Sequence, residues 1–336
     1  MRHLTYFDMD QLKAILSERS GEDKLGTHFE LISPSASLET SLTVSEARFV
    51  LFGIPEDLGV RANFGNRGAQ STWEIVRNSL CNLPFVESSF PKNIVLLGNI
   101  STSALYNRVD ESTSVDQLRR FTSELDEMVA EVVFAIVSAG KIPVAVGGGH
   151  NNAFGLLKGT SKALKQSINA INLDAHTDLR HLEGRHSGNP FSYALAELIL
   201  DRYAVLGVQE ALTPQYIWDF MIDKNDQILC QTYDAICLRE EYTFDAALNK
   251  ALSFVNQKKF GVELDVDSIA NFPSSAESSS GWSIEQARRY VSLIGKNENA
   301  CYFHLCEGII RSTSEPKYAK ALALLILDFC KSRATA

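Results

Sequence analysis

Seven side chains that follow short apolar runs are the ones able to do chemistry. His150 comes directly after a Gly147-Gly148-Gly149 turn. Asp174, His176 and Asp178 alternate in one run, Asp265 and Asp267 repeat that spacing, and Glu307 closes another run. In extended backbone, residues two apart point to the same side. Each alternating set therefore offers its side chains in one direction. His150, Asp174, His176, Asp178, Asp265 and Asp267, drawn together, would repel one another and be costly to bury without a cation. Two divalent metals bridged by carboxylates would neutralise them. A mixed carboxylate and imidazole set suits Mn²⁺, and also Fe, Co or Zn. Taken singly, an Asp-x-His-x-Asp loop is most often solvated surface, and an Asp-x-Asp at a strand end is most often structural. Together with a histidine set by a glycine turn, they read as a metal site.

The glycine turn invites a second reading, a phosphate-binding loop with Asp174 as its distant acid. The dinucleotide pattern fails because position 152 is Asn, and no Gly-Lys-Ser/Thr follows for a P-loop. The glycines instead allow the backbone to approach a ligand closely.

The elements that must position these residues are legible as alternating short and long segments. Apolar runs at 49–54, 94–98, 142–147, 169–173, 203–208, 227–231, 260–266 and 301–306 read as strands. Most lack in/out alternation, as parallel strands covered on both faces do. Segments 115–138, 151–165, 214–223, 283–294 and 315–331 read as helices. Eight strands with helical crossovers imply a doubly wound or barrel α/β fold. Ligands in such folds bind beyond the carboxyl ends of the strands, where the candidate residues lie. Residues 1–45 are polar and weakly periodic, with a helix-like stretch at 10–18 and a Ser/Pro-rich piece at 33–37. They read as an N-terminal extension to one large domain over 46–334.

Composition narrows the class further. The chain has 336 residues, 45% hydrophobic and 22% charged, the balance of a soluble globular protein. With 32 Lys plus Arg against 41 Asp plus Glu, a net charge of −9 argues against nucleic acid as a partner. The longest apolar run, 321–327, is too short to span a bilayer, so no membrane partner is expected. The N-terminus lacks the apolar core of a signal peptide. The six cysteines form no CxxC pair, and a reduced cytoplasmic setting follows.

The set GGGH (147–150), DAHTDLR (174–180), HSGNPF (186–191), ELDVDSI (263–269) and HLCEG (304–308), with GIPEDLGVRANFGNRGA (53–69), resembles the ureohydrolase family of arginases, agmatinases and formimidoylglutamases. The forms of the first, third and DLR motifs look most like the formimidoylglutamase branch. The resemblance covers roughly residues 48–330. It implies a three-layer α/β/α arginase-like fold around a central eight-stranded parallel sheet, two Mn²⁺ per subunit, and a homo-oligomer. One ion would take His150, Asp174, Asp178 and Asp265. The other would take Asp174, His176, Asp265 and Asp267, with Asp174 and Asp265 bridging.

By the same resemblance, a hydroxide between the ions attacks the amidine carbon of a small substrate, and Asp178 passes its proton to the leaving amine. Glu307 would pair with the amidinium, His186 would shuttle protons, and Asn189 would help bind substrate. Arg180 follows the DAHTD motif where arginases have Asn. A guanidinium there suits a substrate with an extra carboxylate, and formimidoyl-glutamate has two. The implied activity is that of a formimidoylglutamase in histidine degradation. Arginase or another guanidino-acid hydrolase is the alternative, and a non-catalytic scaffold of the same fold a remote one. Three positions differ from the family pattern: Gly149 replaces an Asp, Asp267 precedes SIANFPSS, and Glu307 precedes Gly308.

Overall fold

The eight apolar runs form strands, and a ninth joins them. In the computed structural model, which describes residues 3–33, 37–87, 94–311 and 316–334, the strands are β1 (Leu4–Tyr6), β2 (Phe49–Gly53), β3 (Ile94–Ile100), β4 (Ile142–Val146) and β5 (Ile168–Leu173). They continue with β6 (Leu200–Val208), β7 (Ile228–Thr232), β8 (Phe260–Asp265) and β9 (Ala300–Cys306). The sheet order is β1-β3-β2-β4-β9-β8-β5-β6-β7. All neighbours from β3 to β7 run parallel, and only β1 is antiparallel. The sheet is open, which decides for the doubly wound arrangement over a barrel.

Both faces of the strands are apolar because both are covered. Phe49, Leu51, Val144 and Val146 pack with helices Thr72–Cys81, Phe244–Val255, Ile284–Gly295 and Pro316–Ala334. Val50, Phe52 and Ala145 pack on the other side with Val115–Ser138, Asn152–Leu164, Pro190–Ala196 and Gln215–Asp223. The result is three layers. Serine and glutamine start the long helix Val115–Ser138 by a capping box: the Ser114 side chain accepts from the Gln117 amide, and the Gln117 side chain reaches back to the Ser114 amide. Among the described residues no helix is long and apolar enough to cross a membrane, and the six cysteines are free thiols.

The segment read as an extension packs onto the sheet's edge. β1 pairs with β3, and Phe7, Leu12, Leu25 and Phe29 are buried in the core. Gly98 makes this possible: a Cβ there would stand 2.0 Å from the Thr5 carbonyl oxygen. The helix read at 10–18 runs over Met9–Ile15, where the Asp8 side chain caps it. Part of the Ser/Pro-rich piece, residues 34–36, and the first residue of the helix read at 315–331 lie outside the described residues.

The chain builds β2 and β3 outward, returns to β4, crosses to β5, builds outward again, and returns to fill β8 and β9 between the halves. The carboxyl ends of β4, β9, β8 and β5 therefore lie side by side at a topological switch point, where a crevice opens.

Candidate metal centre and active-site cleft

Each of those four strands delivers its candidate residues to that crevice. After β4, Gly147 and Gly148 take φ of 89° and 75°, left-handed values that a side chain would strain. At Gly148 a Cβ would also lie 2.4 Å from the Asn152 amide nitrogen. The turn thus swings His150 into the protein, where it is fully buried. β5 delivers Asp174, His176 and Asp178, β8 delivers Asp265 and Asp267, and β9 delivers Glu307. Asp178 and Glu307 hold φ of 53° and 63°, a conformation uncommon outside glycine that clusters at functional sites.

Four of the six candidate ligands meet closely. One ligand atom from each of His150, Asp174, Asp178 and Asp265 lies within 4.8 Å of the others. His150 Nδ1 is 2.8 Å from Asp178 Oδ2 and 3.2 Å from both Asp174 Oδ2 and Asp265 Oδ2. The other two stand alongside: His176 Nδ1 is 3.6 Å from Asp174 Oδ1 and 3.9 Å from Asp267 Oδ2. The aspartates are aimed by the backbone. The His176 amide donates to Asp174 Oδ1, the Asp267 amide to Asp265 Oδ1, and the Ala276 amide to Asp267 Oδ1. Asn172 Nδ2 also donates to Asp174 Oδ2 at 2.9 Å.

The electrostatics show what this cluster needs. Burial, with the charges of Asp267 and Asp174, pushes Asp265 well above the usual carboxylate range. Burial and Asp174 push Asp178 up, and burial pushes Asp267 up. Burial alone would raise Asp174 too, but the His150 and His176 imidazoles hold it below the ordinary value. Both imidazoles are raised in turn despite their burial, His150 by Cys306 and then Asp174 and Asp178, His176 by Asp174, Asp267 and Asp178. Yet neither ring nitrogen of His150 has a directed hydrogen bond, although both are buried. Orphaned imidazole nitrogens among mutually repelling carboxylates are a donor set that fits divalent cations.

Glu307 lies at the cleft floor. Its Oε1 accepts from the His150 amide at 2.6 Å, while its buried Oε2 has no partner. Burial and the Asp267 charge push it up to about 8. The cleft holds about 370 Å³ and is lined by His176, Asp178, Asp265, Asp267, Glu307 and Arg180, with Asn63 and Asn66 at its side. Among the described residues that line it, Arg180 is the only Lys or Arg. Gly149 lies against the same floor: a Cβ there would stand 2.5 Å from Asn151 Oδ1 and 3.3 Å from Glu307 Oε1. A side chain at this position, where the family pattern has Asp, would require Asn151 and Val60 to shift.

His186 and Asn189 are not brought into this cleft. His186 is fully buried; its Nε2 lies 3.1 Å from Glu183 Oε1, and its Nδ1 accepts from the Gly188 amide. Both ring nitrogens are engaged within the loop, outside the cleft. Asn189 uses Oδ1 for Arg185 and the His186 amide, and Nδ2 for the His181 and Gly184 carbonyls. Both residues frame the loop that carries Arg180.

Glu56 and Glu263 are among the buried acids that have no role in the sequence reading. Glu56, inside the GIPEDLG motif, accepts from the Gly149 amide at 2.8 Å and Asn152 Nδ2 at 2.6 Å on Oε1, and from the Leu58 amide on Oε2. It ties the first motif to the glycine turn. Glu263 sits in the middle of β8, beneath His150. A charged residue inside a run otherwise read as a buried strand is the signal that could have found it.

An open α/β sheet with carboxylates and imidazoles converging on its switch point defines an α/β protein with a candidate binuclear metal centre. The sequence model of the arginase family matches residues 47–308, and the chain belongs to that family. It is similar to the formimidoylglutamase of Chromobacterium violaceum, 33% identical over 174 residues, half of each chain. A formimidoylglutamase of Macrococcus caseolyticus is 29% identical over 251 residues, 73% of this chain and 72% of that one. The chain thus spans about half the length of the first relative and more of the second. In structure it resembles formimidoylglutamase from Bacillus subtilis, with a TM-score of 0.75 at 16% identity over 95% of each chain. It also resembles Trypanosoma cruzi formiminoglutamase with Mn²⁺, with a TM-score of 0.68 at 22% identity over 87% of this chain and 98% of that one. At these identities the structural likeness establishes the arginase-like α/β fold.

Proposed function

We propose that this chain is a manganese-dependent hydrolase of linear amidines that converts N-formimidoyl-L-glutamate and water to L-glutamate and formamide. The observation that carries the substrate is Arg180, the one guanidinium among the described residues of a cleft whose other charged lining is Asp178, Asp265, Asp267 and Glu307. An amidinium can be met by those acids. For a second, anionic end of the substrate, Arg180 is the guanidinium among the described lining residues, and a bidentate guanidinium–carboxylate pair is its natural partner. The curated relatives named formimidoylglutamase support the same reading.

His150, Asp174, Asp178 and Asp265 would hold one Mn²⁺, and Asp174, His176, Asp265 and Asp267 the other. When bound, such a pair acidifies water at neutral pH and supplies Lewis acidity. The chain's own residues do the rest. Glu307, fixed at Oε1 by the His150 amide, turns its free Oε2 to the amidinium N–H. Arg180 holds the distal carboxylate and so orients the amidine carbon over the ligand cluster. Asp178 would take a proton from the attacking water and return it to the departing amine nitrogen as the C–N bond breaks. The same reading places the protein in the cytoplasm, in histidine degradation, as a homo-oligomer.

The test is an activity panel with Mn²⁺-loaded protein on formimidoyl-glutamate, arginine, agmatine and guanidinobutyrate. Formamide release from the first alone is expected. Faster urea release from arginine would overturn the substrate assignment.

A further inference from the structure

The run FGVELD places one acid where both neighbours are strands and both faces are covered. Glu263 lies in β8 between β5 and β9 and is fully buried. A carboxylate there is costly unless it is partnered, so its partners show what it is for. Tyr302 Oη donates to Oε1 at 2.6 Å, and His304 Nδ1 is 2.7 Å from Oε2. Both come from β9, where Tyr302 pairs with Gly261 and His304 with Glu263. Gly261 makes the reach possible: a Cβ there would stand 2.0 Å from the Tyr302 ring, so the ring lies over the glycine and its hydroxyl meets the acid two residues on. Oε2 is thereby held toward a third group, His150 Nε2, at 3.6 Å.

The His150 ring is therefore sandwiched. Nε2 faces Glu263, and Nδ1 faces Asp174, Asp178 and Asp265 at 2.8–3.2 Å. An imidazole offers a lone pair on Nδ1 only when its proton sits on Nε2, and the group that accepts the far proton sets that choice. We propose that Glu263 is a positioning residue for the metal centre. Its negative charge 3.6 Å from Nε2, an ionic contact longer than a hydrogen bond, favours the His150 proton on Nε2 and so presents Nδ1 to a divalent ion among the aspartates. The inference rests on the metal-centre reading above and adds a residue to it. Glu263 touches neither substrate nor ion. It acts through His150, while Tyr302 and His304 hold it in place.

Calorimetric titration of metal-free protein with Mn²⁺ tests the idea on wild type and Glu263→Gln. The wild type should bind two ions. In the variant one of the two should weaken by 10- to 100-fold, the usual effect of removing such a partner, and activity should return at saturating Mn²⁺. A residue that merely braces β8 against β9 would instead lower the Tm of the metal-free protein and leave both affinities alone, which would overturn the proposal. If Glu263→Gln does not fold, Glu263→Asp, which keeps the charge but draws it back by one methylene, is titrated in its place with the same expected loss. A wild type that binds no stoichiometric Mn²⁺ would sink the metal-centre reading itself. Two bound ions with unchanged variant affinities would sink the role of Glu263 alone.

Discussion

Arg180 is held loosely enough to serve a ligand. Its side chain is 47% exposed, and its Nε lies 3.6 Å from Glu183 Oε1. That same oxygen is also approached by Arg119 at 3.6 Å and by His186 Nε2 at 3.1 Å. One carboxylate shared by three donors leaves the outermost guanidinium free to meet a substrate carboxylate, and an exposed pair of this kind is worth little by itself. Arg180→Asn should therefore raise KM for formimidoyl-glutamate by about tenfold or more, the equivalent of about 1.4 kcal/mol, with a smaller change in kcat. An unchanged KM would remove Arg180 from substrate recognition. The candidate ligands at 174, 176, 178, 265 and 267 stand out in the sequence because period-two spacing after a strand is a geometric statement that needs no knowledge of neighbours, whereas Arg180 is read only from the family resemblance. The partners of Glu263 and the Oε1 partners of Glu56 are not legible there, because they come from residues 39 or more and 93 or more positions away. Only the folded sheet brings them together.

At the scale of elements, the loop between β5 and helix Pro190–Ala196 shows where pattern stops predicting. The sequence places His186 and Asn189 in a family motif, but a loop has no fixed period to say which side chains face inward. Here the loop is built around Arg185, which reaches Asp126 Oδ2 at 2.8 Å, Asn189 Oδ1 at 2.6 Å and the Asn151 carbonyl at 2.9 Å. His186 packs behind it, and burial pulls its imidazole from the ordinary 6.5 down to about 4 against the pull of Glu183. The unfolded chain takes up a proton near 6.5 and the folded chain only near 4, so the unfolded state binds more protons between these values. Stability contributed by neutral His186 is thus present above about 6.5 and lost as pH falls toward 4. At about 1.4 kcal/mol per pH unit, the window is worth about 3 kcal/mol. His186→Asn, which keeps an acceptor for the Gly188 amide, should flatten this part of the Tm-versus-pH curve relative to wild type. Parallel curves for the two proteins between pH 6.5 and 4 would show that His186 is not the group responsible.

For the whole molecule, the consequence of the topology is that charge is concentrated where four non-consecutive strands end together. The strands themselves are legible in the sequence, but their order is not. That β9 and β8 insert between β4 and β5 follows from packing two half-sheets against shared helices, and no local pattern encodes it. The insertion carries Asp265, Asp267 and Glu307 up against His150, Asp174 and Asp178. All six are buried, and four of these acids are pushed above their ordinary range by burial. A fold that gathers such a cluster is stabilised by whatever cations it binds in the native state and not in the unfolded one. At a thousandfold excess over Kd, each ion contributes about 4 kcal/mol. For two ions, chelation with EDTA should lower the Tm by on the order of 10 °C, and stoichiometric Mn²⁺ should restore it. Mg²⁺, which prefers all-oxygen sites, should restore it less well, because His150 and His176 supply nitrogen ligands. A Tm indifferent to EDTA and to added Mn²⁺ would mean that the native cluster balances its charge with protons alone, as the raised carboxyls permit, and that no metal pair contributes to the stability of this fold.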